Sequence, residues 1–325
     1  MKGMHLTLAA VLAASCAAPA WSQEKSDVTV VLGEELDLVE PCMATRSNIG
    51  RVILENVSET LTELDAENNG QVAPRLAASW EDVGGGTWRF KLREGVKFSD
   101  GTAFDAGDVK HSLERATSPQ ITCELSRYFG DTKLDATVVD PTTLDVKADP
   151  PQPILPLLMS VLTVVPSETP IEFTRQPIGT GPYVLSSWTP GQSIVLDRRD
   201  DYWGDKPAVT KATYVFRTDS AVRAAMVAAG EADLAPSISQ IDATNPQTDF
   251  AYPNSETMYL RIDTSIAPMN DKRVRQALNM AIDRQAFIGS LLPEGTESAV
   301  AIVPPTTLGW NKDIKAPAFD AEGAR

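Results

Sequence analysis

Residues 74–114, PRLAASWEDVGGGTWRFKLREGVKFSDGTAFDAGDVKHSLE, constrain the fold more than any other stretch. Trp88-Arg89-Phe90-Lys91-Leu92-Arg93 alternates apolar and charged side chains, the period of a half-buried strand. Gly84-Gly85-Gly86 ahead of it supplies a turn in which positive φ is cheap. Glu94-Gly95 breaks the strand, Val96-Lys97-Phe98 resumes it, and Ser99-Asp100-Gly101 turns the chain again. Asp105 then stands as an N-cap, with Asp108 at the positive end of the helix dipole. Val109, Leu113 and Ala116 give that helix one apolar face. The stretch reads as a hairpin followed by a helix, and every residue in it has a structural task without needing a catalytic one.

The length, 325 residues, suits about two domains. The net charge of −15 argues against a nucleic-acid partner, because phosphate backbones are held by basic patches. Lys2, the apolar run Leu6–Ala14 and Ala18-Pro19-Ala20 read as a secretory signal over residues 1–20, cleaved after Ala20. Ala13-Ala14-Ser15-Cys16 is a looser alternative, a lipoprotein box that would anchor the chain through Cys16. Cys42 and Cys123 survive signal removal, and an even count in an exported chain suggests a disulfide, the alternative being two buried thiols. Ile154–Val165, interrupted by Pro156, reads as a core segment.

Along the chain, Val28–Leu32 is β-branched and forms the first strand. Ile49, Val52, Ile53, Val57, Leu61 and Leu64 recur at helical spacing, and Thr45-Arg46-Ser47-Asn48 would begin that helix, where free N–H groups can hold an anion. Thr137–Val146 reads as a hairpin about Asp140-Pro141. Gly179-Thr180-Gly181 is a poor phosphate loop, since Pro182 removes a donor and a strand follows. The acids Asp197, Asp200, Asp201 and Asp205 read as an exposed turn and not as a calcium site. Asp219 caps a helix that Gly230 ends, and Met258–Thr264 alternates as a strand. Val274, Leu278, Ala281 and Ile282 give the next helix a buried side, and Asp320 stands as the N-cap of a further one.

Three strings, Pro74-Arg75-Leu76-Ala77-Ala78-Ser79-Trp80, Phe90-Lys91-Leu92-Arg93-Glu94-Gly95-Val96-Lys97-Phe98-Ser99-Asp100-Gly101 and Asp108-Val109-Lys110-His111-Ser112-Leu113-Glu114-Arg115, together resemble the family 5 solute-binding proteins of the peptide/nickel class, which deliver ligands to ABC importers. Gln176–Tyr183, Asp200–Gly204, Gly230–Asp233 and Asp271–Asp283 carry the resemblance onward. Leu36-Asp37 departs from it, because Leu38 stands where the family has proline. The resemblance implies a mixed α/β (α+β) fold of the periplasmic-binding-protein type II kind, multi-lobed, with mixed sheets and a ligand cleft between lobes. It implies lobe I from residues 21–45 and 171–262, lobe II from 46–170, and the start of a truncated lobe III in 263–325.

The function so implied is capture of a peptide or peptide-like solute in the periplasm by a monomer that passes it to the ABC permease. No cofactor, metal or catalytic residue is implied. Met43, Arg46, Ser47, Asn48, Tyr128 and Asp263 are the expected lining residues, with Asp263 offering a carboxylate to a ligand amine. Two other readings compete. A secreted hydrolase is hard to build, since the two histidines are His5, lost with the signal, and His111, a helix-surface or packing residue, and neither Gly-x-Ser-x-Gly nor His-Glu-x-x-His occurs. A non-functional remnant of a binding protein is the other.

Overall fold

The computed structural model describes residues 26–36, 39–43, 50, 53–65, 67–68, 70–252, 256–305, 307, 309–316 and 318–325. The expected signal at 1–20, with Cys16, lies outside them, as do Arg46, Ser47 and Asn48. The strands in chain order are β1 (Asp27–Leu32), β2 (Thr62–Asp65), β3 (Gln71–Pro74), β4 (Ala77–Gly84), β5 (Thr87–Leu92), β6 (Lys133–Asp140), β7 (Thr143–Asp149), β8 (Tyr183–Thr189), β9 (Ser193–Arg198) and β10 (Lys211–Phe216). The longer helices are α1 (Ala106–Thr117), α2 (Ser220–Ala228) and α3 (Lys272–Ala281).

The alternating stretch 77–92 makes the β4–β5 hairpin, turning through Gly84, Gly85 and Gly86, all at positive φ. Together with the β6–β7 hairpin it gives an antiparallel sheet ordered β4-β5-β7-β6. Val96–Phe98 does not resume as a strand; a single bridge from Lys97 to Ala103 takes its place. Helix α1 begins in a capping box: the Asp105 side chain accepts from Gly107 N and the Asp108 carboxylate accepts from Asp105 N. Its Val109, Leu113 and Ala116 bury against Phe90, Leu144, Leu155 and Met159 in one core, with Phe98 and Phe104 edge to face at 6.2 Å.

A second sheet, ordered β1-β10-β9-β8, pairs β1 and β10 in parallel and the others antiparallel. Its strands lie at the two ends of a long excursion, since β1 closes at Leu32 and β8 opens at Tyr183. Val30, Leu32, Ile194, Leu196 and Tyr214 bury there with Ile53, Leu54 and Val57. The expected helical stripe from Ile49 to Leu64 does not run through. Leu64 lies in β2, half exposed, because backbone pairing with β3 overrides the helical spacing. Packing changes hands more than once here: Cys42 and Met43 join the first core, Ile53–Val57 the second, and Leu61 the first again.

The loop Gly179-Thr180-Gly181, which precedes β8, lies directly on the 56–58 backbone. Gly181 N donates to Val57 O and Tyr183 N to Asn56 O, both at 3.0 Å. A Cβ at Gly179 would stand 2.1 Å from Val57 O, and one at Gly181 2.5 Å from Asn56 O. These glycines allow backbone to touch backbone.

Residues 233–325 are built differently. No described residue among them is buried. Met258–Thr264, expected as a strand, has no ladder partner among the described residues, and Met258, Tyr259 and Leu260 are 85%, 58% and 72% exposed. Helix α3, capped by Asp271, buries none of its apolar stripe. The alternation and the periodicity are present; the surface that would cover them is not among the described residues. No helix of the described residues is long and apolar enough to cross a membrane.

The close approach at the return loop yields a test. Gly181→Ala should lower unfolding free energy by about 3 kcal/mol, the upper end of overpacking costs, as read from urea melts. Gly191→Ala, with positive φ but open space around it, should cost only about 1 kcal/mol.

Candidate functional site

The chain leaving β1 reaches the core around α1 through Glu40–Met43, and this short stretch is held by four tethers. Glu40 is fully buried and takes a two-pronged ion pair from Arg115 of α1, Nη1 to Oε1 at 2.7 Å and Nη2 to Oε2 at 3.0 Å. The same carboxylate accepts from Thr174 N at 2.8 Å and Cys42 N at 3.1 Å. Cys42 is joined to Cys123 by a disulfide, Cα atoms 5.2 Å apart, and its carbonyl accepts from Glu124 N at 3.1 Å. The bond spans 81 residues and thereby brings Pro41–Met43 beside the stretch that leads from Cys123 into the turn of helix Ser126–Phe129.

Arg115 belongs to a polar stripe on α1. Asp108 accepts from Ser167 N, the His111 ring bonds through Nε2 to Thr169 O, Ser112 Oγ accepts from Val165 N, and Arg115 donates to Pro170 O and Glu172 O. Spaced three and four residues apart, these side chains share one face, and each reads backbone of the 165–172 return segment. Burial pushes the Asp108 carboxyl above the usual carboxylate range, partly offset by the two N–H groups it accepts. His111, expected at the surface or in packing, is a strap-holding residue.

A second cluster joins the 200–204 turn to Glu59 and Arg75. Glu59, buried, receives Arg75 at 2.6 Å, the Tyr202 hydroxyl at 2.8 Å and Trp203 Nε1 at 2.8 Å. The Arg93 guanidinium lies 4.9 Å from the Trp203 ring centroid and that of Arg75 5.9 Å. Arg199, also buried, donates to the carbonyls of Gly179, Gly181, Lys97 and Phe98 and pairs with Asp201. Asp200 and Asp201 face solvent, as expected of an exposed turn, while Arg199 is buried and the two aromatic rings are half-buried because Glu59 and the carbonyls need donors.

The expected lining residues fall out unevenly. Met43 is 8% exposed and packs in the core through its side chain. Tyr128 is 51% exposed beside the disulfide platform. Asp263 is exposed and occupied locally, accepting from Ser265 N at 2.9 Å and Oγ at 2.6 Å, bonds that hold its carboxyl below the usual range. Among the described residues no bond links it to Met43 or Tyr128. A cavity of about 180 Å³ opens at the seam, lined by Pro41, Asp100, Val165, Glu168, Thr174 and Ile178 among others. No three His, Cys, Asp or Glu of the described residues converge on a metal position. Such an arrangement fixes backbone and presents surface.

Residues 71–325 match the family model for bacterial extracellular solute-binding proteins, family 5. The chain is 30% identical over 335 residues to the glutathione-binding protein GsiB of Shigella flexneri serotype 5b, covering 98% of this chain and 63% of that protein. It superposes on NikA of Brucella suis, solved with Fe(III)-EDTA, with a TM-score of 0.74 and 28% identity over 92% of this chain and 62% of that one. It also superposes on a dipeptide-binding protein of Pseudoalteromonas in complex with Met-Leu, TM-score 0.78 and 21% identity, covering 92% and 65%, a likeness of fold. The chain spans less than two thirds of the length of each.

The buried phenols give a pH signature. Burial pushes Tyr214 up to about 12, and burial with the Glu59 charge beside it pushes Tyr202 higher still. A phenol whose folded pKa exceeds its unfolded value of 10.0 stabilises fully below pH 10, and this contribution is lost as pH rises toward 12. Unfolding free energy should therefore fall steeply above pH 10, and Tyr202→Phe should flatten that slope in denaturant melts between pH 9 and 11.5. An unchanged slope would contradict the placement of Tyr202.

Proposed function

The chain belongs to the bacterial extracellular solute-binding proteins of family 5, and from that premise we propose that it contributes the ligand-binding wall of an ABC importer's substrate-binding component, capturing a peptide or peptide-like solute in the periplasm and passing it to the permease. The observation that carries this reading is the fastened pair of stretches, Pro41–Met43 and Ser126–Phe129, which sets an exposed Tyr128 beside the disulfide on the face of the α1 core. Rigid presentation lowers the ordering cost of binding. The printed names of relatives, glutathione-binding and dipeptide-binding, support a short peptide as ligand class.

The two four-stranded sheets support a division into lobes, with Cys42 and Met43 packing across it into the α1 core and Ile53–Val57 into the other. Residues 21–45 and 171–262 form lobe I, 46–170 form lobe II and 263–325 open lobe III. Asp263 begins this last part, which faces the cleft and whose apolar residues are exposed. The protein works as a monomer whose lobes close about a bound solute, with Arg46, Ser47 and Asn48 adding donors from the stretch that follows Met43.

Calorimetric titration of the chain with glutathione and with Met-Leu tests the reading. Saturable one-to-one heat with intact probe recovered by mass spectrometry is expected, and Tyr128→Ala and Asp263→Ala should each weaken the better probe by about tenfold, near 1.4 kcal/mol. Cleavage of the probe, or no heat from either at millimolar concentration, would contradict it.

A further inference from the structure

The tethers on Glu40–Met43 are more numerous than anchoring a loop requires. Hydrophobic packing of Cys42 and Met43 already buries the stretch. A buried ion pair is a poor source of net stability, because desolvation cancels most of its attraction; what it supplies is one defined geometry, and losing either partner is costly. Arg115 supplies that geometry from both sides. Its guanidinium holds the Glu40 carboxylate and, at the same time, the carbonyls of Pro170 and Glu172 on the return strap. Glu40 in turn orients Cys42 N and Thr174 N. One planar cation thus sets the position of the outgoing chain, the returning chain and, through the disulfide, the turn that carries Tyr128.

We infer that Arg115 is a positioning residue for ligand capture: its two-pronged hold on Glu40 fixes the Pro41–Met43 stretch against the Ser126–Phe129 turn, so that affinity and not only stability depends on it. The inference rests on the proposed binding role. Lysine keeps the charge but lacks the planar fork that engages both carboxylate oxygens and two carbonyls together.

The test compares Arg115→Lys with Gly181→Ala, a variant that destabilises the fold away from the platform. Both are studied as the whole chain, at a temperature where circular dichroism shows each fully folded. Affinity for glutathione and Met-Leu is read by calorimetry, and the platform is read without ligand, from the rate at which a phosphine reduces the Cys42–Cys123 bond under native conditions. Arg115→Lys should weaken the bound probe by about tenfold, within the usual range of coupling between sites, and speed reduction by a similar factor. Gly181→Ala should leave affinity within about twofold, the scatter of uncoupled distant sites. Equal effects of the two variants on affinity and on reduction would overturn the inference and leave Arg115 as a structural residue only. If the parent chain binds neither probe, the binding role fails, and unchanged reduction in Arg115→Lys would then independently overturn the positioning claim. A Glu40→Gln variant guards against misfolding of the first, and is expected to follow it in both readouts.

Discussion

The Glu40–Arg115 ion pair is the constraint on which the two described cores depend. The chain passes between the cores repeatedly, and each passage leaves backbone groups that must be satisfied away from water. Arg115 and Glu40 satisfy several of these together, at Cys42, Pro170, Glu172 and Thr174. The pair is fully enclosed, so its Coulomb gain is offset by desolvation, and breaking one side would cost about 3–5 kcal/mol. Its contribution is therefore one of register: it admits a single arrangement of the outgoing and returning chains.

The same device recurs across the seam. Arg199 ties the Gly179–Gly181 return to Lys97 and Phe98, and Glu59 gathers Arg75, Tyr202 and Trp203. In each case a buried charged side chain serves partners from sequence-distant segments. Several of the strings that carry the family resemblance are, in this structure, parts that fasten sequence-distant segments to one another. In the proposed reading, ligand contact falls to less patterned residues, such as Tyr128 beside the disulfide.

Much of the fold is legible in the sequence because local rules and packing agree there. Gly84–Gly86 with the alternation of Trp88–Leu92 specifies a hairpin, and Asp105 with Asp108 specifies a helix start. The rule fails at Leu64, where helical spacing is overridden by pairing with β3, and at Met258–Leu260, where alternation finds no partner strand among the described residues. The site was harder to read. Glu40 and Glu59 look like ordinary surface acids, since nothing local announces that an arginine 75 or 16 residues away will reach them. The one available clue was the spacing of Asp108, Ser112 and Arg115 on a single face of a helix whose other face was already apolar. Polar residues aligned at that spacing beside a buried stripe signal a second packed surface.

The central claim is that the disulfide-fastened pair of stretches around Pro41–Met43 and Ser126–Phe129 is the surface that meets the solute. Hydrogen–deuterium exchange of the whole chain, with and without saturating glutathione or Met-Leu, tests it most directly. Slowed exchange concentrated in peptides covering 40–48 and 123–130 is the predicted result. Ligand-dependent protection confined to other regions, with those two stretches unchanged, would contradict the account.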